Sequence, residues 1–129
     1  MSFDITFKVR DYECDLQGVV NNGVYLNYLE HTRHEYLRSL DIDFKALHQE
    51  GIDPMVSRVE MDYKRPLTSG DEFISSLSVR KEGRLRIIFD QKIYRGEELV
   101  LAAKVIAVVV KNGRPVPPEQ GVPGWNLEH

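Results

Sequence analysis

The hydrophobic period changes twice along this chain, and that limits the folds open to it. Phe3, Ile5, Phe7 and Val9 alternate with Asp4, Thr6, Lys8 and Arg10, which is the period of two of a half-buried strand. From about Asn22 to Leu40 the spacing becomes helical: Tyr25, Leu29, Thr32 and Tyr36 form a stripe that Tyr28 and Leu40 widen,. A helix of that length spans roughly 25 Å at 1.5 Å per residue. Phe44 to Glu50 reads as one short helical turn closed by Gly51. The period of two then returns. Val56, Val59, Met61 and Tyr63 precede a break at Arg65-Pro66 and a turn at Ser69-Gly70-Asp71. Phe73, Ser75, Leu77 and Val79 lead to a hairpin signal at Lys81-Glu82-Gly83,. Leu85 to Ile93 alternate up to Arg95-Gly96-Glu97, and Leu99 to Lys111 is an apolar run suited to a central strand,. The proline- and glycine-rich tail after Asn112 does not continue the sheet as a regular strand,.

This order predicts an α+β chain in which a five-stranded antiparallel sheet wraps one long central helix. The helix is apolar over much of its circumference, as enclosure by a curved sheet requires. Residues 1–126 read as a single domain, and Leu127-Glu128-His129 as the remnant of an expression tag,. The formal net charge of −3 gives no support for nucleic-acid binding,. No apolar run is long enough for a signal peptide or a membrane span,. The single cysteine, Cys14, forms no intramolecular disulfide and suits a reducing compartment, so a cytoplasmic location is expected,.

Chemistry concentrates between Val9 and Arg33. Asp15 lies in a Gly18-containing loop just ahead of the helix start. A loop carboxylate is ordinarily a cap or a solvated turn residue. Here, however, it stands beside helix N–H groups that lack intrahelical partners. Such groups hold a developing oxyanion, and an ionised carboxylate next to them serves as nucleophile or as general base toward water. Asn21 or Asn22 also suits the helix N-cap. Cys14 has no histidine nearby in sequence to activate it and reads as a small packing residue. His31 and His34 are three apart, a poor match to metal-binding helix spacing, so no metal is expected. Tyr25, Tyr28 and Tyr36 read as core. Lys64, Arg65, Arg80, Lys81, Arg84 and Arg86 read as a solvated charged surface, or as partners for phosphate.

The pattern Val9-Arg10, Glu13-Cys14-Asp15, Gly18-Val19-Val20-Asn21-Asn22, Tyr25-Leu26, Tyr28-Leu29-Glu30 and Arg33 resembles the hotdog-fold acyl-CoA thioesterases of the 4-hydroxybenzoyl-CoA thioesterase type. Tyr63-Lys64-Arg65-Pro66 and Gly70-Asp71 also match, and the resemblance runs to about Lys111. It implies hydrolysis of an acyl-CoA thioester to a free acid and coenzyme A, with no cofactor beyond the substrate. Asp15 would be the catalytic carboxylate, attacking the thioester or activating water. The backbone N–H of Asn22, with Gly23 as neighbouring candidate, would polarise the carbonyl. Gly18, Val19, Tyr25 and Tyr28 would border the substrate. Two subunits would join sheets as a homodimer or homotetramer, with Val56, Ser57, Arg58 and Val59 of one lining the acyl pocket of the other. Arg84 and Arg86, taken to share one strand face, would meet the coenzyme A phosphates.

Several relatives carry histidine where this chain has Asn22, and tyrosine where it has Asp11. The acyl group is therefore left open. Hydrolysis from an acyl carrier protein, or a hotdog module that binds acyl groups without turnover, are the alternatives. A hotdog dehydratase would need an Asp/His pair, and no histidine stands near Asp15.

Overall fold

The structure is a computed structural model that describes residues 2–128. In chain order, β1 (Phe3–Lys8) leads through a 3-10 turn (Asp11–Glu13) to α1 (Asn22–Ser39) and α2 (Phe44–Gln49). Then come β2 (Ile52–Tyr63), β3 (Glu72–Glu82), β4 (Arg86–Arg95), β5 (Glu98–Lys111), β6 (Arg114–Val116) and the short α3 (Pro118–Gly121). The strands form one antiparallel sheet in the order β1-β3-β4-β5-β2. The α+β layout expected from the periodicity is present, with six strands rather than five. The extra strand, β6, pairs Val116, Pro115 and Arg114 with Val109, Val110 and Lys111. Pro115 is tolerated because β6 is three residues long and lies at the rim of the sheet,.

Tight turns set the register. β4 and β5 close as Arg95↔Glu98 over Gly96-Glu97, with Gly96 at φ +61°, the left-handed backbone that a two-residue hairpin loop demands,. β2 begins at Ile52, where the helical spacing of the sequence ends, and carries a bulge between Val56 and Arg58. Its pairing with β5 leaves Met55, Val56, Val59 and Tyr63 on the far edge of the sheet, 52, 50, 39 and 49% exposed.

α1 buries one face rather than its whole circumference. Tyr25, Tyr28, Leu29 and Thr32 are buried, while Asn27, Glu30, His31, His34 and Arg38 are exposed. The sheet curls about the helix as expected, but the helix is apolar over less of its circumference than its sequence suggests, and its outer face is exposed. Under α1 lie two apolar clusters. One joins Tyr25, Tyr28 and Leu29 to Leu67, Phe73, Ile93 and Leu101. The other joins Leu77, Ile87, Phe89, Val105 and Val109 to Val122 and Trp125. Three buried polar side chains sit on the same side of the sheet. Thr32 Oγ1 donates to the Tyr28 carbonyl at 2.8 Å and pairs with Ser75 Oγ at 2.7 Å. Gln91 donates to the Leu29 carbonyl at 3.1 Å and accepts from Arg33 at 3.0 Å. Burying such groups is costly unless each is paired, and here each is.

The tail closes the second cluster. Trp125, 2% exposed, donates its ring N–H to the Tyr36 hydroxyl at 3.2 Å. Leu127 packs against this cluster and the Glu128 carbonyl accepts the Lys81 N–H, so the tail is in contact with the domain as far as Glu128. His129 lies outside the described residues.

Candidate active site

The segment from Cys14 to Val20, expected as a glycine-containing loop, is a small hairpin. Cys14 and Val20 form an antiparallel bridge, and Val19 bridges Thr68. Asp15 lies at the tip. Its N–H donates to the Val19 carbonyl at 2.9 Å, and its carbonyl accepts the Gly18 N–H at 3.0 Å. Its Oδ1 accepts the Gln17 N–H at 2.8 Å. Asp15 therefore holds its own turn with one carboxylate oxygen. It is exposed, and its Oδ2 has no hydrogen-bond partner among the described residues. Gly18 takes φ +82°, and a Cβ there would meet nothing within 4 Å. Glycine is required by conformation, not by crowding.

The hairpin feeds directly into α1. Asn21 is the N-cap, and its side-chain oxygen accepts the Gly23 N–H at 3.1 Å. That separates the two expected oxyanion donors: Gly23 is occupied by the cap, and Asn22 is not. The Asn22 N–H has no partner among the described residues, while the Asn22 carbonyl accepts the Tyr63 hydroxyl at 3.2 Å. A free N–H at the positive end of an 18-residue helix is a ready donor to a developing anion,. Val19, Val20, Asn22, Tyr25, Tyr63 and Lys64 line a shallow cleft of about 220 Å³ at this point. A larger depression of about 600 Å³ lies on the outer face of the sheet, among Ser76, Ser78, Asp90, Lys92 and Ala102. All of its lining residues belong to strands, and half of them are charged: Glu60, Asp62, Asp90, Lys92 and Lys104.

The two helix tyrosines divide. Tyr25 is buried, its hydroxyl accepting the Leu67 N–H at 3.2 Å, but its ring also reaches the cleft. Tyr28 does not: it is buried against the stacked rings of Phe7 and Phe73, and its hydroxyl donates to Glu13 at 2.8 Å. Burial and that bond to Glu13 push the Tyr28 phenol well above its ordinary range,. Burial, with the Asp11, Asp15 and Glu13 carboxylates, raises the Cys14 thiol, which disfavours a thiolate nucleophile,.

Arg84 and Arg86 are not brought to this site within one chain. Arg84 is in the turn after β3 rather than on a strand, and Arg86 at the start of β4 is ion-paired with Glu82 at 3.4 Å. That hairpin is at the opposite end of β3 from Glu72, roughly 30 Å away at 3.3 Å per residue. Sequence reasoning paired the two arginines on one strand face because it began β4 too early. At the cleft itself stand Lys64 and Arg65, both exposed, with Arg65 3.5 Å from Glu98. Val56, Ser57, Arg58 and Val59 lie along the exposed edge of β2, and the Ser57 hydroxyl turns back to the Ile106 carbonyl at 3.2 Å. His31 packs edge-on to Phe7, and His48 pairs with Asp53 at 2.6 Å. Among the described residues no group of three or more His, Cys, Asp or Glu side chains is placed to hold a metal ion, and no helix is long and apolar enough to cross a membrane.

Known proteins share both the sequence and the architecture. The chain is 41% identical over 116 residues to a chloroplastic acyl-acyl carrier protein thioesterase, ATL3, of Arabidopsis thaliana, covering 88% of this chain and 61% of that protein. It thus spans about three fifths of the length of that relative. It is 29% identical over 115 residues to the acyl-CoA thioesterase YbgC of Haemophilus influenzae, covering 87% of this chain and 85% of that one. A crystal structure of a hypothetical protein from Aquifex aeolicus superposes with a TM-score of 0.82 at 29% identity, over 89% of this chain and 91% of that one. The architecture is the hotdog fold of thioesterases, an antiparallel sheet curled about one longer helix. The profile of the thioesterase-like superfamily matches residues 9–125, and the chain belongs to that superfamily.

Proposed function

We propose that this chain is an acyl-CoA thioesterase in which Asp15 and the Asn22 N–H do the chemistry. One observation carries the reading. An exposed carboxylate, with one oxygen free among the described residues, is held on a hairpin that runs straight into a helix whose first N–H is unoccupied. The Asp15 carboxylate attacks the thioester carbonyl carbon, and the carbonyl oxygen becomes an oxyanion that accepts from the Asn22 N–H. Collapse breaks the C–S bond, releases the coenzyme A thiolate and leaves a mixed anhydride that water opens to the free acid. With Asp15 as general base the same centre activates water directly. Both routes use only water and groups of the chain.

The cleft of about 220 Å³ is smaller than the roughly 300 Å³ of an ordinary small-molecule pocket,. A second copy completes it in this reading. The exposed apolar edge of β2 suits continuation of the sheet into a homodimer, with Val56 to Val59 of one copy lining the acyl pocket of the other,. Lys64 and Arg65 then meet the coenzyme A phosphates in place of Arg84 and Arg86. The single cysteine suits a reducing compartment such as the cytoplasm,.

The 41% identity to an acyl-acyl carrier protein thioesterase favours one second reading, the same hydrolysis with a carrier protein as thiol. A panel of acyl-CoAs and acyl carrier protein thioesters, followed by thiol release, decides between them. Asp15→Asn is expected to lower kcat by at least about 100-fold with an unchanged melting temperature. Undiminished turnover by Asp15→Asn would overturn the mechanism. Acyl-CoA binding without hydrolysis in the parent would instead make the protein a binding module.

A further inference from the structure

We propose that Glu13 is a positioning residue of the hydrolytic centre: it locks the Asp15 hairpin to α1 through the Tyr28 hydroxyl. This rests on Asp15 and the Asn22 N–H being the reacting pair. Three parts of the molecule converge on Glu13. Its Oε1 accepts the Arg10 N–H, where the chain leaves β1, and the Tyr28 hydroxyl, in the second turn of α1, each at 2.8 Å. Its Oε2 lies 3.6 Å from the Arg10 guanidinium. Its backbone carbonyl accepts the N–H of Asn21, the N-cap of α1, at 3.0 Å.

The two reacting groups lie on opposite sides of this junction. Asp15 is two residues beyond Glu13, and Asn22 follows the N-cap that Glu13 holds. The Glu13 side chain is only 11% exposed, and the buried Tyr28 ring packs against the stacked pair Phe7 and Phe73, so the anchor has little freedom to move. A carboxylate accepting from a rigid, buried phenol fixes distance as well as direction. The charge on Glu13 is not what the geometry asks for. An amide oxygen at the same place accepts the same two donors.

The test compares Glu13→Gln, Glu13→Ala, Tyr28→Phe and the Glu13→Ala/Tyr28→Phe double variant, with kcat and KM measured on one short acyl thioester and melting followed on the same preparations. Glu13→Gln is expected to stay within about threefold of the parent. Glu13→Ala and Tyr28→Phe are expected to lose tenfold or more in kcat with KM within about twofold, because misplacement of reacting groups by a fraction of an ångström is costly to the chemical step. The double variant should lose no more than the worse single variant, since both changes open one link. Glu13→Gln as impaired as Glu13→Ala, additive losses, or unchanged kcat in Tyr28→Phe would each overturn the proposal. If Glu13→Ala does not fold, the isosteric Glu13→Gln and Tyr28→Phe still decide it. Were Asp15→Asn fully active, the functional reading would fail instead. An inert Asp15→Asn beside unaffected clamp variants would sink the clamp alone.

Discussion

Asn21 shows how one side chain separates structure from chemistry. Its oxygen occupies the Gly23 N–H at 3.1 Å and leaves the Asn22 N–H to whatever enters the cleft. Asparagine at an N-cap supports a helix by about 1 kcal/mol over alanine. Asn21→Ala is therefore expected to lower unfolding free energy by about 1 kcal/mol in urea titration. In that variant the Gly23 N–H is freed and stands beside that of Asn22. Asp15 is equally double in nature. It is a turn residue by its bond to Gln17 and a candidate nucleophile by its exposed second oxygen. Its residue type and place before a helix were legible from the chain; the hairpin that presents it was not. The Cys14–Val20 bridge is local, but the Val19–Thr68 bridge depends on a segment almost fifty residues away.

The elements around the site are tied by Asp71, ahead of β3. Its carboxylate accepts the Thr68 N–H at 2.9 Å and the Arg95 guanidinium at 2.7 Å, and its backbone carbonyl accepts the Val9 N–H at 2.9 Å. The Thr68 N–H, with Arg95, holds this carboxyl below its ordinary range despite partial burial,. A carboxyl depressed on folding contributes stability that is present above its unfolded value of about 3.9 and is lost as pH falls through the folded value. Asp71→Asn is thus expected to cost on the order of 1 kcal/mol near pH 7. The difference between parent and variant should shrink as pH falls below about 3.9 in denaturant titrations. The start of β2 and the two hairpins after Glu72 followed from residue pattern and turn glycines, which are local signals. The order of strands in the sheet did not, because β1 pairs with β3 and β2 with β5 across long stretches of chain.

At the scale of the molecule, the exposed edge of β2 is the feature one chain leaves unfinished. Half-exposed Val56, Met55 and Tyr63 on a strand with one unpaired edge invite pairing with a second copy,. Light scattering is expected to return twice the 14.9 kDa chain mass or a larger even multiple. The double substitution Val56→Lys/Val59→Lys is expected to shift the protein toward monomer and to reduce thioester hydrolysis in step, because the pocket loses its second wall. A monomeric parent with full activity would refute the shared site.

The sequence by itself determined the α+β class, the single long helix, the antiparallel order of the later strands and the catalytic candidate Asp15. Each is written in short-range periods and turn residues, which respond to neighbours a few positions away. Tertiary structure alone decided which helix N–H lacks a partner among the described residues, that the Tyr28 hydroxyl meets Glu13, and that Arg84 and Arg86 lie at the far end of β3. It also decided the small residue at Gly121, where a Cβ would come within 2.5 Å of Val109. These depend on contacts between segments far apart in the chain, and no local period records which distant side chain a donor will meet once the sheet closes over the helix.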